Sequence, residues 1–257
     1  MNIPSYSLAV LGLFFWALVG AAQDKPAENA APKDPYAIGL IQRAASYLAG
    51  QEHFSVQSEI WDDMFVEGSL LQFDRTVEVV VRRPDRIRMD ISTTIPTRSI
   101  FYDGDTVTMV DQRTNQYGVT KGAGSIDETI TMIDSKYDVE FPMEDLLFSK
   151  PFGNAAETAL GAQYLGKTVI LGVECDHVAF QHQVLDWQAW IATGPVPTLR
   201  KVVIDYKRPT NNPRTTAIFS DWDFTTPMPD FVFEFTPMAY QDEIEVLPQT
   251  SPMAPRK

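Results

Sequence analysis

The sequence predicts an α+β protein built on one large antiparallel β-sheet, with helices gathered on one face of it. Three observations point there. Leu71, Phe73, Val77, Val79 and Val81 alternate with Gln72, Asp74, Thr76 and Glu78, and a two-residue period marks a strand with one dry and one wet face. Glycine, proline and aspartate turns separate successive runs of this kind, as a meander requires. The order of signals is helix, strand meander, helical insert, strand meander. Strands and helices do not alternate, so a parallel βαβ architecture is disfavoured.

The elements follow in chain order. Leu8 to Val19 is an unbroken apolar run, followed by Gly20, Ala21 and Ala22. Residues 1–22 therefore read as a secretory signal peptide, cleaved after Ala21 or Ala22. The run falls short of the roughly 20 apolar residues that span a bilayer. No Lys or Arg precedes it, and the alternative is a retained N-terminal anchor. No cysteine stands at the cleavage point to take a lipid. Residues 23–34, rich in Ala, Pro and charge, read as a flexible linker. Ile38, Ile41, Ala45 and Leu48 then share one helical face, with Asp34 placed to cap it, Pro35 at its first position and Gly50 at its end.

Strands are expected at 53–62 and 70–82, then around Ile87, Met89 and Ile91 after the Pro84-Asp85 turn. Residues 98–102 and 106–111 flank Asp103-Gly104, a strong hairpin signal, and 115–121 completes the meander. Ile126, Ile130, Ile133 and Tyr137 fit a helix face opened by a Ser125/Glu128 capping box. Two short helices follow at 142–149 and 154–160. Strands resume at 164–172, 174–182, 185–193, 200–207, 215–224 and 231–235. Residues 35–247 read as a single domain, and 248–257 as a disordered, proline-rich tail.

The charge balance narrows the function. With 21 basic against 34 acidic residues the net charge is −13. It argues against nucleic acid as a partner, because phosphate binding needs clustered Lys and Arg. The same charge repels an anionic membrane surface and suits a basic partner. Cys175 is the single cysteine, so no intramolecular disulfide forms and the core must hold the fold.

Several segments line up with a known pattern. Arg83-Pro84-Asp85-Arg86-Ile87-Arg88-Met89, Tyr102-Asp103-Gly104-Asp105-Thr106 and Pro142 to Leu147 resemble a strand turn, a hairpin and a helix of the bacterial lipoprotein-carrier superfamily. Gly172 to His177, Asp186 to Ile191, and Pro197 followed by Arg200 to Ile204 resemble an uncharacterised family of predicted periplasmic proteins within it. The resemblance covers roughly residues 35–247. It implies an incomplete antiparallel β-barrel whose concave face is plugged by helices around an apolar cavity. It also implies a periplasmic carrier of a lipid or lipoprotein acyl chain; separately, a monomer is expected.

Catalysis finds little support. Cys175 and His177 share one strand face and could pair as thiolate and base or begin a metal site. Only His53 and His182 remain to complete a metal shell, and an acidic chain does not favour a thiolate. Both residues are read as packing groups. Asp103-Gly104-Asp105 is a turn rather than a calcium loop. Asp127-Glu128 and Glu144-Asp145 complement helix starts. Gly122-Ala123-Gly124-Ser125 departs from phosphate-loop and nucleophile-elbow patterns. No catalytic residue, metal or cofactor is expected. The expected ligand-binding residues are Met109, Met132, Met143, Leu146, Leu147, Phe148 and Trp190, since methionine adapts to irregular apolar shapes. The competing reading is a filled barrel: a structural or interaction module pairing its edge strands with an envelope protein.

Overall fold

The computed structural model describes residues 31–93, 98–139, 141–207 and 212–248. The signal segment 1–22, most of the linker and nearly all of the tail lie outside these residues. The protein is α+β, with twelve strands in one curved, unclosed sheet. Helix α1 (Pro35–Ala49) leads into a meander of β1 (His53–Val66), β2 (Ser69–Arg82), β3 (Arg86–Ser92), β4 (Arg98–Tyr102), β5 (Thr106–Asp111) and β6 (Gln116–Lys121). An insert holds α2 (Ile126–Tyr137), α3 (Glu144–Leu147) and α4 (Ala155–Thr158). A second meander runs through β7 (Gly161–Ile170), β8 (Val173–Gln181), β9 (Leu185–Ala192), β10 (Leu199–Tyr206) and β11 (Arg214–Asp223), and β12 (Asp242–Ile244) ends the sheet.

The order across the sheet is β12-β6-β5-β4-β3-β2-β1-β11-β10-β9-β8-β7. The two meanders join where β11 pairs antiparallel with β1. Their far ends, β6 and β7, lie towards opposite margins, and the insert connects them. The chain between Lys121 and Gly161 must therefore cross the gap across which the sheet fails to close.

Local chemistry fixes the helices as the sequence leads one to expect. The Asp34 carboxylate accepts the Tyr36 amide at 2.9 Å. At the start of α2 the Ser125 hydroxyl accepts the Glu128 amide at 3.2 Å and donates to its carboxylate at 2.9 Å. Such caps satisfy amides that the first helical turn leaves unpaired. Gly104, at φ +94°, turns the β4–β5 hairpin, and any side chain there would collide with the Arg86 guanidinium.

The segment after β11 departs from expectation. Residues 231–235 are not a strand: Asp230–Val232 is a single 3-10 turn after Pro229. Its backbone cannot join the ladder because it crosses the face opposite the helices. Arg82 donates to the Met228 carbonyl at 2.7 Å and pairs with Asp230. Phe233 is buried beneath the Arg82 guanidinium, and Phe235 packs against Phe101 and Tyr117. The strap ends as β12, parallel to β6, over Gly118, where a Cβ would lie 2.4 Å from Val246. At the other margin, Lys33 bridges in parallel to Ala162, so the end of the linker is hydrogen-bonded to β7.

Candidate apolar ligand site

The concave face is built from one side of each strand. Phe54, Val56 and Ile60 of β1, Val77, Val79 and Val81 of β2, and Ile87 and Met89 of β3 form one apolar surface. Leu40, Ile41, Ala44 and Leu48 of α1, Ile130 and Ile133 of α2, and Leu146 and Leu147 of α3 pack into it. The helices pack directly onto the sheet, and one small gap of about 10 Å³ lies where α1 (Tyr47, Leu48), the insert (Leu146, Phe152), residues 197–199 and Phe224 meet.

Six of the seven expected ligand residues sit in or against this core. Met143, Leu146 and Leu147 are buried, and Met109, Met132 and Phe148 are half-buried against it. Trp190 is the exception. It projects from the other face with Cys175 and Val203, under the Lys201 ammonium 4.8 Å from its ring. In β9 the concave positions are Trp187, Ala189 and Ile191, so the tryptophan that belongs to the interior is Trp187. It stacks on Phe180 at 4.2 Å and donates to His182 Nε2 at 3.0 Å. The run Ala189 to Ala192 is apolar throughout, so composition alone leaves its parity open. Tyr47, Phe152 and Phe224 also went unread, because they come together only through α1, the insert and the end of β11.

The insert is held down by polar contacts. Arg83, in the β2–β3 turn, donates to the Leu147 carbonyl at 2.6 Å. Burial holds its guanidinium below its ordinary value, against the opposite pull of Asp127. The Asp127 carboxylate accepts the Ser149 amide at 2.8 Å and its hydroxyl at 2.6 Å. Within α3, Glu144 and Asp145 are buried rather than exposed at a helix start. Asp145 Oδ2 has no hydrogen-bond partner among the described residues. Burial, and secondarily the charge of Glu144, push the Asp145 carboxyl well above the usual carboxylate range.

Cys175 and His177 do share a face, the convex one. His177 stacks on Trp190 at 4.0 Å and meets Gln188 Oε1 at 3.0 Å. Burial pushes the Cys175 thiol up and the His177 imidazole down, the reverse of what an activated thiolate needs. Cys175→Ala is expected to lower stability by about 1 kcal/mol, as loss of a small buried hydrophobe does. A denaturant midpoint shift with unchanged slope would report it. Among the described residues, no three His, Cys, Asp or Glu side chains are grouped to hold a metal ion. No helix among them is long and apolar enough to cross a membrane.

The chain forms an open half-barrel, an unclosed and almost wholly antiparallel sheet wrapped around one long helix and a helical insert. The chain belongs to the DUF2092 family of predicted periplasmic proteins, whose model matches residues 37–247. It is a periplasmic protein. No curated protein sequence matches it. Among solved structures it is similar to the lipoprotein LppX of Mycobacterium tuberculosis, at 15% identity and TM-score 0.49, over 76% of this chain and 99% of that one. LprF from Mycobacterium bovis is 13% identical with TM-score 0.43, over 77% and 98% of the two chains. A LolA superfamily protein from Nitrosomonas europaea is 10% identical with TM-score 0.35, over 76% and 97%.

Proposed function

We propose that the protein is a non-catalytic periplasmic carrier or sensor of an apolar molecule, a lipid or a lipoprotein acyl chain, and works as a monomer. The ligand enters the half-barrel as the plug 143–160 swings aside, between Met109 of the sheet and Met132 of α2, with Met143, Leu146, Leu147 and Phe148 of the displaced plug closing over it. One observation carries this reading. The segment filling the interior, residues 143–160, consists of two one-turn helices and contains a buried carboxylate, Asp145, with an unpartnered oxygen. A buried polar group without a partner is costly, and helices of one turn have little stability of their own. The plug is therefore the cheapest part of the core to displace. Burial of apolar ligand surface, at roughly 25 cal/mol per Å², would offset that displacement.

The filled interior favours a second reading, a structural module that takes no ligand. One experiment separates the two. An environment-sensitive apolar dye should bind the purified, delipidated protein with saturation. Residues 143–160 should exchange amide hydrogens faster than the central strands, and dye should accelerate that exchange further. An absence of saturable binding, with the insert as protected as β1 and β2, leaves the structural module.

A further inference from the structure

The β1–β2 hairpin outgrows the sheet. β1 pairs with β11 from Ser55 to Asp62, and β2 pairs with β3 from Thr76 to Arg82. Among the described residues, 63–75 have a strand partner only within the hairpin, with the Arg214 amide donating to the Asp63 carboxylate at 3.2 Å beside them. A salt bridge marks the root: Asp62, buried on the concave side, meets Arg75 at 2.9 Å and accepts the Thr215 hydroxyl at 2.7 Å. Past that pair the apolar pattern continues into water. Phe65 and Leu70 face each other on the convex side and are 57% and 48% exposed. Leu71, opposite Met64, and Phe73 lie on the concave side at 44% and 39% exposed. Large side chains clustered and exposed on a projecting ribbon mark an interaction surface rather than a core.

Along the chain from residue 63 to residue 74 the charge is of one sign. Asp63, Glu67 and Asp74 lie between residues 63 and 74, and no Lys or Arg occurs between Arg43 and Arg75. At the hairpin's root, Asp63 lines an open cleft of about 440 Å³ together with Asp186, Asp205, Lys207 and Arg214, three carboxylates against two cations. An anionic lipid surface would meet these carboxylates with repulsion, and so would the same hairpin on a second copy. An extended protein segment that alternates apolar with basic side chains meets all three features. Its backbone completes a free margin, its apolar residues cover Phe65 to Phe73, and its cations seat against Asp63, Glu67 and Asp74.

We propose that the tip of the β1–β2 hairpin is the docking surface for a basic, apolar, extended segment of a partner protein. This surface is separate from the interior proposed to take the apolar ligand. The full mature protein is titrated with a short peptide of alternating leucine and lysine, with an alternating leucine and glutamate peptide as control. The Leu–Lys peptide should bind with saturation and slow amide exchange over residues 63–75. Leu71→Ser with Phe73→Ser should weaken it at least about tenfold. Both residues are exposed, so melting should be nearly unchanged. Glu67→Lys with Asp74→Lys, which leaves the apolar contacts in place, should move the preference to the Leu–Glu peptide. Dye binding to the interior, measured on the same variants, should not change, so loss of the interior site and loss of this one are told apart. Equal binding of both peptides, or protection outside residues 63–75, would overturn the proposal. Protection of the hairpin by phosphatidylethanolamine–phosphatidylglycerol vesicles would assign the surface to lipid. A dimer in sedimentation equilibrium that Leu71→Ser abolishes would assign it to self-association.

Discussion

Leu147→Glu is expected to cost the fold about 3–5 kcal/mol, as an unpaired charge placed in a packed interior does, and to lower its melting temperature by roughly 10 °C. Leu147 is 1% exposed, in the core that α3 shares with the sheet. The gap beside Leu146 is only about 10 Å³, the least space that a single water occupies, so little hydration can follow the carboxylate in, and the Arg83 guanidinium nearby is already engaged by the Leu147 carbonyl. Leu71→Glu, on the exposed hairpin, puts the same group into water and should change stability by no more than about 0.5 kcal/mol. Thermal melts of the two variants beside the parent decide the matter. A Leu147→Glu protein that melts with the parent would mean that solvent reaches Leu147, and that the interior stands open at rest.

What the sequence made legible, and what it hid, follows from the range of each interaction. The alternation of Val77, Val79 and Val81, the Asp103-Gly104 turn and the Ser125/Glu128 box are local, and each appears in its expected role. The family motifs carried the half-barrel. Parity in β9 could not be read, because Trp187 and Trp190 are both apolar and a one-residue shift exchanges the two faces. Within the strap, residues 231–235 looked like a strand because Phe231, Val232, Phe233 and Phe235 are strand formers. Its contacts are instead with Arg82, Phe101 and Tyr117, more than a hundred residues earlier. Nor could hydropathy separate residues that line a cavity from residues that fill it. Met143 and Leu146 have the same composition in either case, and only packing shows that the insert occupies the space. Asp145 was misread for a similar reason: beside Glu144 it looks like an exposed helix start, yet it is buried, in a single turn whose Asp145 carbonyl accepts the Phe152 amide at 3.1 Å.

Asp145→Leu is expected to weaken binding of an apolar dye by about 10- to 100-fold and to remove most of its dependence on pH. The argument rests on the cost that the carboxylate imposes on the closed plug. Its folded-state value is raised, by burial first and by Glu144 second, so the closed form prefers the protonated acid. The stability this contributes is fully present below the ordinary value of 3.8. It is lost as pH rises from there through the elevated value. Closure should therefore be tightest in acid, and the fraction of open, binding-competent protein should grow towards neutrality. Because apparent affinity scales with that fraction, dye binding should strengthen as pH rises from 3.8 through the raised value. A leucine removes the ionisable group and stabilises closure by about 1–3 kcal/mol, as replacing a poorly satisfied buried charge by an apolar side chain does. Each 1.4 kcal/mol is about tenfold in apparent affinity. Asp145→Asn, still polar but never charged, should also lose the pH dependence while binding more tightly than the leucine variant. The buried Asp62 is raised by the same cause but is held by Arg75 on the sheet, so whatever slope it contributes persists in both variants. Dye titrations across this range, with amide exchange followed over residues 143–160, test each step. A pH profile that Asp145→Leu leaves unchanged would take the gating role away from this carboxylate, and a leucine variant that binds as the parent does would take it away from the plug.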